Sequence, residues 1–101
     1  LANKVKKIFG GTPGTTSTTL YTTPASTKTI VKSLIISNST TVEATITAKF
    51  AEIGLINAYK VAPNDTVVLD LSLVLEAGES ITALQGTVGS VNVHISGVEV
   101  A

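Results

Sequence analysis

The amino-acid sequence predicts an all-β protein, an antiparallel, jelly-roll-like β-sandwich of about seven strands with an extended N-terminal arm. Three observations lead there. Threonine, serine and valine are unusually frequent, and β-branched side chains lose rotamer freedom in helices but fit a pleated surface. Residues 42–50 and 66–74 alternate apolar and polar side chains with period two. Short apolar runs recur between turn-forming groups of Gly, Pro, Asn and Asp, and no sustained 3.6-residue stripe competes with them.

Residues 1–15 read as an arm. Val5, Ile8 and Phe9 are interleaved with Lys4, Lys6 and Lys7, and Gly10-Gly11-Thr12-Pro13-Gly14 interrupts any regular element. The sandwich domain is expected over residues 16–101. Its Thr/Ser tract leads into a first strand ending near Leu20, Tyr21 and Thr22, closed by Pro24, which cannot donate to a ladder. Residues 29–38 form the second strand. Ile30, Val31, Leu34, Ile35 and Ile36 fall on both of its faces, as expected of a central strand covered on both sides, one of them by a neighbouring subunit. Asn38-Ser39-Thr40 is a turn.

In residues 42–50, Val42, Ala44, Ile46, Ala48 and Phe50 share the buried face, with Glu43, Thr45, Thr47 and Lys49 opposite. Gly54 breaks the pattern before a strand at 55–61, and Pro63-Asn64-Asp65 turns the chain. Val67, Leu69, Leu71 and Leu73 face inward from the next strand, with Thr66, Asp70 and Ser72 outward. Glu76-Ala77-Gly78-Glu79 is a tight turn with Gly78 at positive φ. A short strand at 80–84 and a glycine-containing loop at 85–90 precede the last strand, 91–100. There Val91, Val93 and Ile95 share a face, and the apolar phase shifts to Val98 and Val100 after Gly97, which reads as a β-bulge or a crossing between sheets.

Composition narrows function. With 101 residues the chain makes one domain. Seven basic and seven acidic residues balance, and every base is a lysine, which argues against nucleic-acid binding, where arginine and a basic excess are favoured. Without cysteine there is no disulfide framework or thiolate metal site. No apolar run is long enough for a membrane span, and no apolar segment follows the early lysines as a signal peptide requires.

The residues for chemistry are few. His94 is the sole histidine and falls on the polar face of its strand, and a triad needs a nucleophile and an orienting acid beside it. The acid pair Glu76/Glu79 flanks a turn and Asp65/Asp70 straddles a strand start, and no loop carries the set of oxygen ligands calcium needs. Phe9, Tyr21, Phe50 and Tyr59 are a thin aromatic set for stacking sugars, and no glycine-rich loop leads into a helix to cradle phosphate. The expectation is a non-enzymatic protein without cofactor or metal that binds other proteins. Its candidate contact residues are Lys4, Lys6, Lys7, Ile8 and Phe9 of the arm, and Val31 and Ile35 of the two-faced strand.

One further pattern bears on the partner. It comprises Tyr21-Thr22-Thr23-Pro24-Ala25, Thr29-Ile30-Val31-Lys32-Ser33, Asn38-Ser39-Thr40, Asp65-Thr66-Val67-Val68-Leu69-Asp70, the stretch from Leu73 through Gly78 to Ile81, and Val91 through Gly97 to Glu99. From Tyr21 onward the chain thereby resembles small tailed-bacteriophage virion proteins, while residues 1–20 lie outside the match. The resemblance implies a β-sandwich that decorates or joins virion parts, most closely a capsid decoration or cement protein on the major capsid protein, assembled in the bacterial host cytoplasm. It further implies a homo-oligomer, a trimer in first place. The arm would serve as clamp. A neck, tail or baseplate accessory protein is the alternative within the virion, and a receptor- or glycan-binding module the alternative outside that class.

Overall fold

The computed structural model describes residues 3–87 and 89–101, and these form eight strands and no helix. In chain order they are β1 (Asn3–Gly11), β2 (Thr18–Thr22), β3 (Lys28–Asn38), β4 (Ala44–Phe50), β5 (Ile53–Val61), β6 (Thr66–Leu75), β7 (Ser80–Gln85) and β8 (Val91–Val100). They make two antiparallel four-stranded sheets. We call them the front sheet, in the order β1-β8-β3-β6, and the back sheet, in the order β2-β7-β4-β5.

Only the β4–β5 connection stays within one sheet; every other connection crosses between the two. This order is the connectivity of an eight-stranded jelly roll, and the all-β sandwich expected from the sequence is what the chain forms. The core lies between the sheets. Val31, Leu34, Ile36, Val91, Val93 and Ile95 enter it from the front, and Ala44, Ile46, Ala48, Phe50, Ile81 and Ala83 from the back. The alternation expected on β4 and β6 holds, with Val67, Leu69, Leu71 and Leu73 packed against this core. Gly78 takes a positive φ of 85°, and its amide donates to the Thr23 carbonyl.

Several sequence expectations change. The extended arm is a strand: residues 3–11 pair with β8 from Asn3–Val100 to Gly11–Val93, which makes eight strands rather than seven. Leu1 and Ala2, the first residues of the expected arm, lie outside the described residues, as does Val88 of the loop at 85–90. Ile8 and Val31 are interior, 6% and 0% exposed, so neither is available to a partner. Val42 lies in the turn before β4 and is exposed. The irregularity expected on the last strand at Gly97 sits on its neighbours. Opposite Ser96, β1 holds the extra residue Ile8 and β3 the extra residue Lys32, while β8 keeps its phase through Gly97.

The bulge also explains the two-faced strand. Inward residues on β3 are Thr29 and Val31 before Lys32, then Leu34, Ile36 and Asn38 after it. One extra residue flips the phase, so apolar residues of a single face occupy both parities of the sequence. Only Ile30 and Ile35 remain as outward apolar residues of this strand.

Candidate interaction surface

The outer faces of the two sheets differ in chemistry. Cross-strand registers order the front face into rows read across β1, β8, β3 and β6. The first is Val5, Val98, Ile30, Val74; the second Lys7, Ser96, Ser33, Asp70; the third Gly10, His94, Ile35, Val68. Val5, Val68 and Val74 are among the most exposed large apolar residues of the molecule, at 90%, 60% and 53%. Ile30, Ile35 and Val98 are half-buried, shielded by their row neighbours rather than by another layer. Ser33 and Ser96 share a hydroxyl hydrogen bond of 2.7 Å at the middle of this face. Apolar residues clustered on an outer face mark a contact surface when they are contiguous.

On the back face the outward residues of β4 and β7 are Thr45, Thr47, Lys49, Ser80, Thr82 and Leu84, with Lys60 of β5 beside Thr45. Hydroxyls and lysines dominate there, which suits contact with water. The back sheet does expose apolar side chains on its β5 edge, Ile53, Leu55 and Tyr59.

One end of the sandwich is closed by a polar latch. Tyr21 of β2 reaches across to the front sheet and donates to Glu99 at 2.5 Å, while the buried Thr29 hydroxyl lies 2.8 Å from the phenol oxygen. Lys6 pairs with Glu99 at 3.1 Å and sits 5.8 Å from the Tyr21 ring centroid. Burial raises the phenol of Tyr21 above its ordinary range, and the adjacent carboxylate adds to this. The Tyr21 hydroxyl, with Lys6 second, holds Glu99 below the ordinary carboxylate range.

Two buried amides stitch the opposite end. Asn38 donates to the carbonyls of Val42, Val61 and Ala62 and accepts from Thr40. Gln85 donates to the Pro13 carbonyl and accepts from the Ser90 amide and hydroxyl and the Val91 amide.

Of the residues singled out from the sequence, Lys7 and Ile35 lie on the front face and Lys4 and Lys6 at the latch end, while Phe9 packs against the core. His94 is exposed on the front face, between Gly10 and Ile35. Tyr21 serves the latch, and Tyr59 is at the β5 edge. Sequence reasoning did not select Val5, Val68, Val74 and Val98. For Val68 and Val74 the signal was an apolar residue at an outward parity, which the apolar residues beside it concealed. A surface depression of about 400 Å³ is formed by Ser26, Thr27, Lys28, Glu76, Ala77, Val100 and Ala101, and its charged side chains are the exposed Lys28–Glu76 pair at 3.8 Å. Among the described residues no group of three or more His, Cys, Asp or Glu side chains is placed to hold a metal ion. No protein-family model matches the chain, and no curated protein matches its sequence.

Proposed function

We propose that this chain is a non-enzymatic virion structural protein, a capsid decoration protein that bridges and stabilises major capsid protein subunits, with the outer face of the front sheet as its contact surface in the assembly. The observation that carries this reading is the row Val5, Val98, Ile30, Val74, an apolar band across all four strands of a sheet whose other face already fills the core. The resemblance from Tyr21 onward supplies the kind of assembly. The mechanism is mechanical. Apolar area removed from water contributes roughly 25 cal/mol per Å², and many copies on one lattice add weak contacts into strong retention. β1 takes part as a docked strand that brings Val5 and Lys7 to the face, in place of a swinging clamp.

Incorporation into particles is the test. A tagged chain produced in infected host cells is expected to sediment with virions in copy numbers that scale with the major capsid protein, and Ile30→Lys is expected to remain folded but stay in the supernatant. Copy numbers matching tail symmetry would move the protein to the neck, tail or baseplate. Exclusion of the wild-type chain from particles would end the virion reading.

A further inference from the structure

The outer face of the front sheet is complementary to itself, and we propose that its occupant is a second copy of this chain, packed face to face about a two-fold axis that runs along the strands between β8 and β3. The inference rests on reading this face as the contact surface. It does not depend on which larger assembly the chain joins.

The row order carries the argument. A two-fold axis relating two stacked sheets must lie in the plane between them. If it runs along the strands, each row stays opposite its own counterpart and is reversed. β1 of one copy then faces β6 of the other, and β8 faces β3. Val5 meets Val74 and Val98 meets Ile30, each contact occurring twice as in any isologous interface. In the middle row Lys7 meets Asp70, again twice, so both ends of the row carry opposite charges across the interface. In the third row His94 meets Ile35.

The alternative in-plane axis runs across the strands. Placed through the middle row, it sets Lys7 on Lys7 and Asp70 on Asp70, and like charges brought together disfavour it. The charge order therefore selects one two-fold arrangement over the other, and it differs from the three-fold assembly that the sequence resemblance favours. Lys32, the extra residue of the β3 bulge, places one positive charge from each copy, two in all, near the axis. Opposite it the second copy presents the Ser96 and Ser33 hydroxyls, whose oxygens have lone pairs to accept from an ammonium.

The area suffices. Four strands at roughly 4.8 Å spacing and about 30 Å length give about 600 Å² per copy, or about 1,200 Å² in all, which clears the size of a specific interface. Aligned sheet packing keeps the two strand directions within about 30°, so the row pairing is closest near the axis and the lysine stem spans the offset at the edges.

Sedimentation velocity of the purified full chain over a concentration series tests this. The wild type is expected to show a concentration-dependent monomer–dimer equilibrium. Lys7→Asp alone and Asp70→Lys alone each place like charges opposite each other at both ends and should weaken the dimer by about tenfold. The double variant Lys7→Asp/Asp70→Lys restores opposite charges and should return close to wild type. Both positions concerned are exposed strand sites, and thermal unfolding by circular dichroism confirms that each variant is folded. A wild type that is monomeric or trimeric throughout, singles that leave the dimer unchanged, or a double variant without rescue would each overturn the proposal. A monomeric chain that still enters virions sinks this inference alone, whereas a dimer excluded from virions sinks only the virion reading.

Discussion

Replacing Gln85 by leucine isolates what a buried amide contributes to a small sandwich. Gln85 is fully buried at the end of β7, and leucine nearly conserves its volume, so the change is polar rather than a cavity. The substitution leaves the Val91 amide without the acceptor it reaches at 2.8 Å and the Pro13 carbonyl without its donor. The Ser90 amide keeps only a long contact of 3.4 Å to the Thr87 carbonyl, while its hydroxyl retains that carbonyl at 2.7 Å. Two orphaned groups and one half-satisfied one, at about 1–3 kcal/mol for each full orphan, cost about 4 kcal/mol, and the added apolar burial offsets about 1 kcal/mol. The net loss of about 3 kcal/mol is a large share of the ~5–15 kcal/mol stability of a domain and corresponds to about 15 °C in Tm. Urea unfolding and calorimetry measure it, and hydrogen exchange at Val91 should accelerate more than at mid-strand Ile95. A change within about 0.5 kcal/mol would refute the reasoning, because it would mean that the loops at residues 12–17 and 86–90 are held by something other than this amide.

The other expectations concern the bulge and the latch. A Cβ on Gly97 would sit 2.2 Å from the Ile30 carbonyl oxygen and 3.2 Å from the Val31 Cα, both backbone atoms, so Gly97→Ala should cost about 3 kcal/mol or more in urea unfolding; an unchanged midpoint would contradict the register of β8 on β3. Tyr21→Phe removes the donor to Glu99 and the partner of the buried Thr29 hydroxyl, and should lower stability by about 1–2 kcal/mol at neutral pH. The pH dependence has two flanks. Glu99 is held below 4.5, so its contribution is present above that value and is lost as pH falls through its lower folded pKa; Tyr21 is raised above 10.0, so its contribution is present below that value and is lost as pH rises through its higher folded pKa. Tm measured across pH should fall on both flanks in the wild type and more shallowly in Tyr21→Phe, and matching profiles for the two proteins would exclude the latch as the cause.

Residues in regular alternation were legible, and irregular ones were not. On β4 and β6 the inward residues follow period two, and Phe50, Ile46, Leu69 and Leu73 are read correctly from parity alone. β1 was opaque for a physical reason. Its inward positions at the latch end are Lys4, cross-strand from Glu99, and Lys6, which pairs with Glu99 beside the Tyr21 ring rather than entering an apolar core, and its bulge then sends both Ile8 and Phe9 inward. A strand with polar residues on its inward face and two consecutive apolar residues at a bulge has no period to detect. Gly97 did signal an irregularity, but parity along one chain cannot say whether the extra residue lies on that strand or opposite it. The front face was hidden for the same reason as β3: Val68 and Val74 adjoin inward leucines, and a run of apolar residues does not disclose which member faces out.

The edges bear on why association is proposed at a face. All four edge strands carry an extra residue: Ile8 on β1, Leu20 on β2, a residue at each of two positions along β5, and one on β6 opposite Lys32. A bulge breaks the even spacing that another strand needs for continuous pairing and increases the local twist, and Lys4, Lys6 and Lys7 add charge to the β1 edge. Even β5, the most apolar edge, is bent out of register, with Ala58 at a φ of 46° and its amide turned onto the Thr47 hydroxyl. Edge-to-edge pairing between copies would be open-ended, because each added strand exposes a new edge. A face is consumed once it is covered. With edges bulged, the back face rich in hydroxyls and the front face apolar, the face-to-face pairing proposed above is self-limiting. In that pairing Ile30 lies opposite Val98 of the second copy, and a charge placed there by Ile30→Lys is expected to weaken it without touching the core.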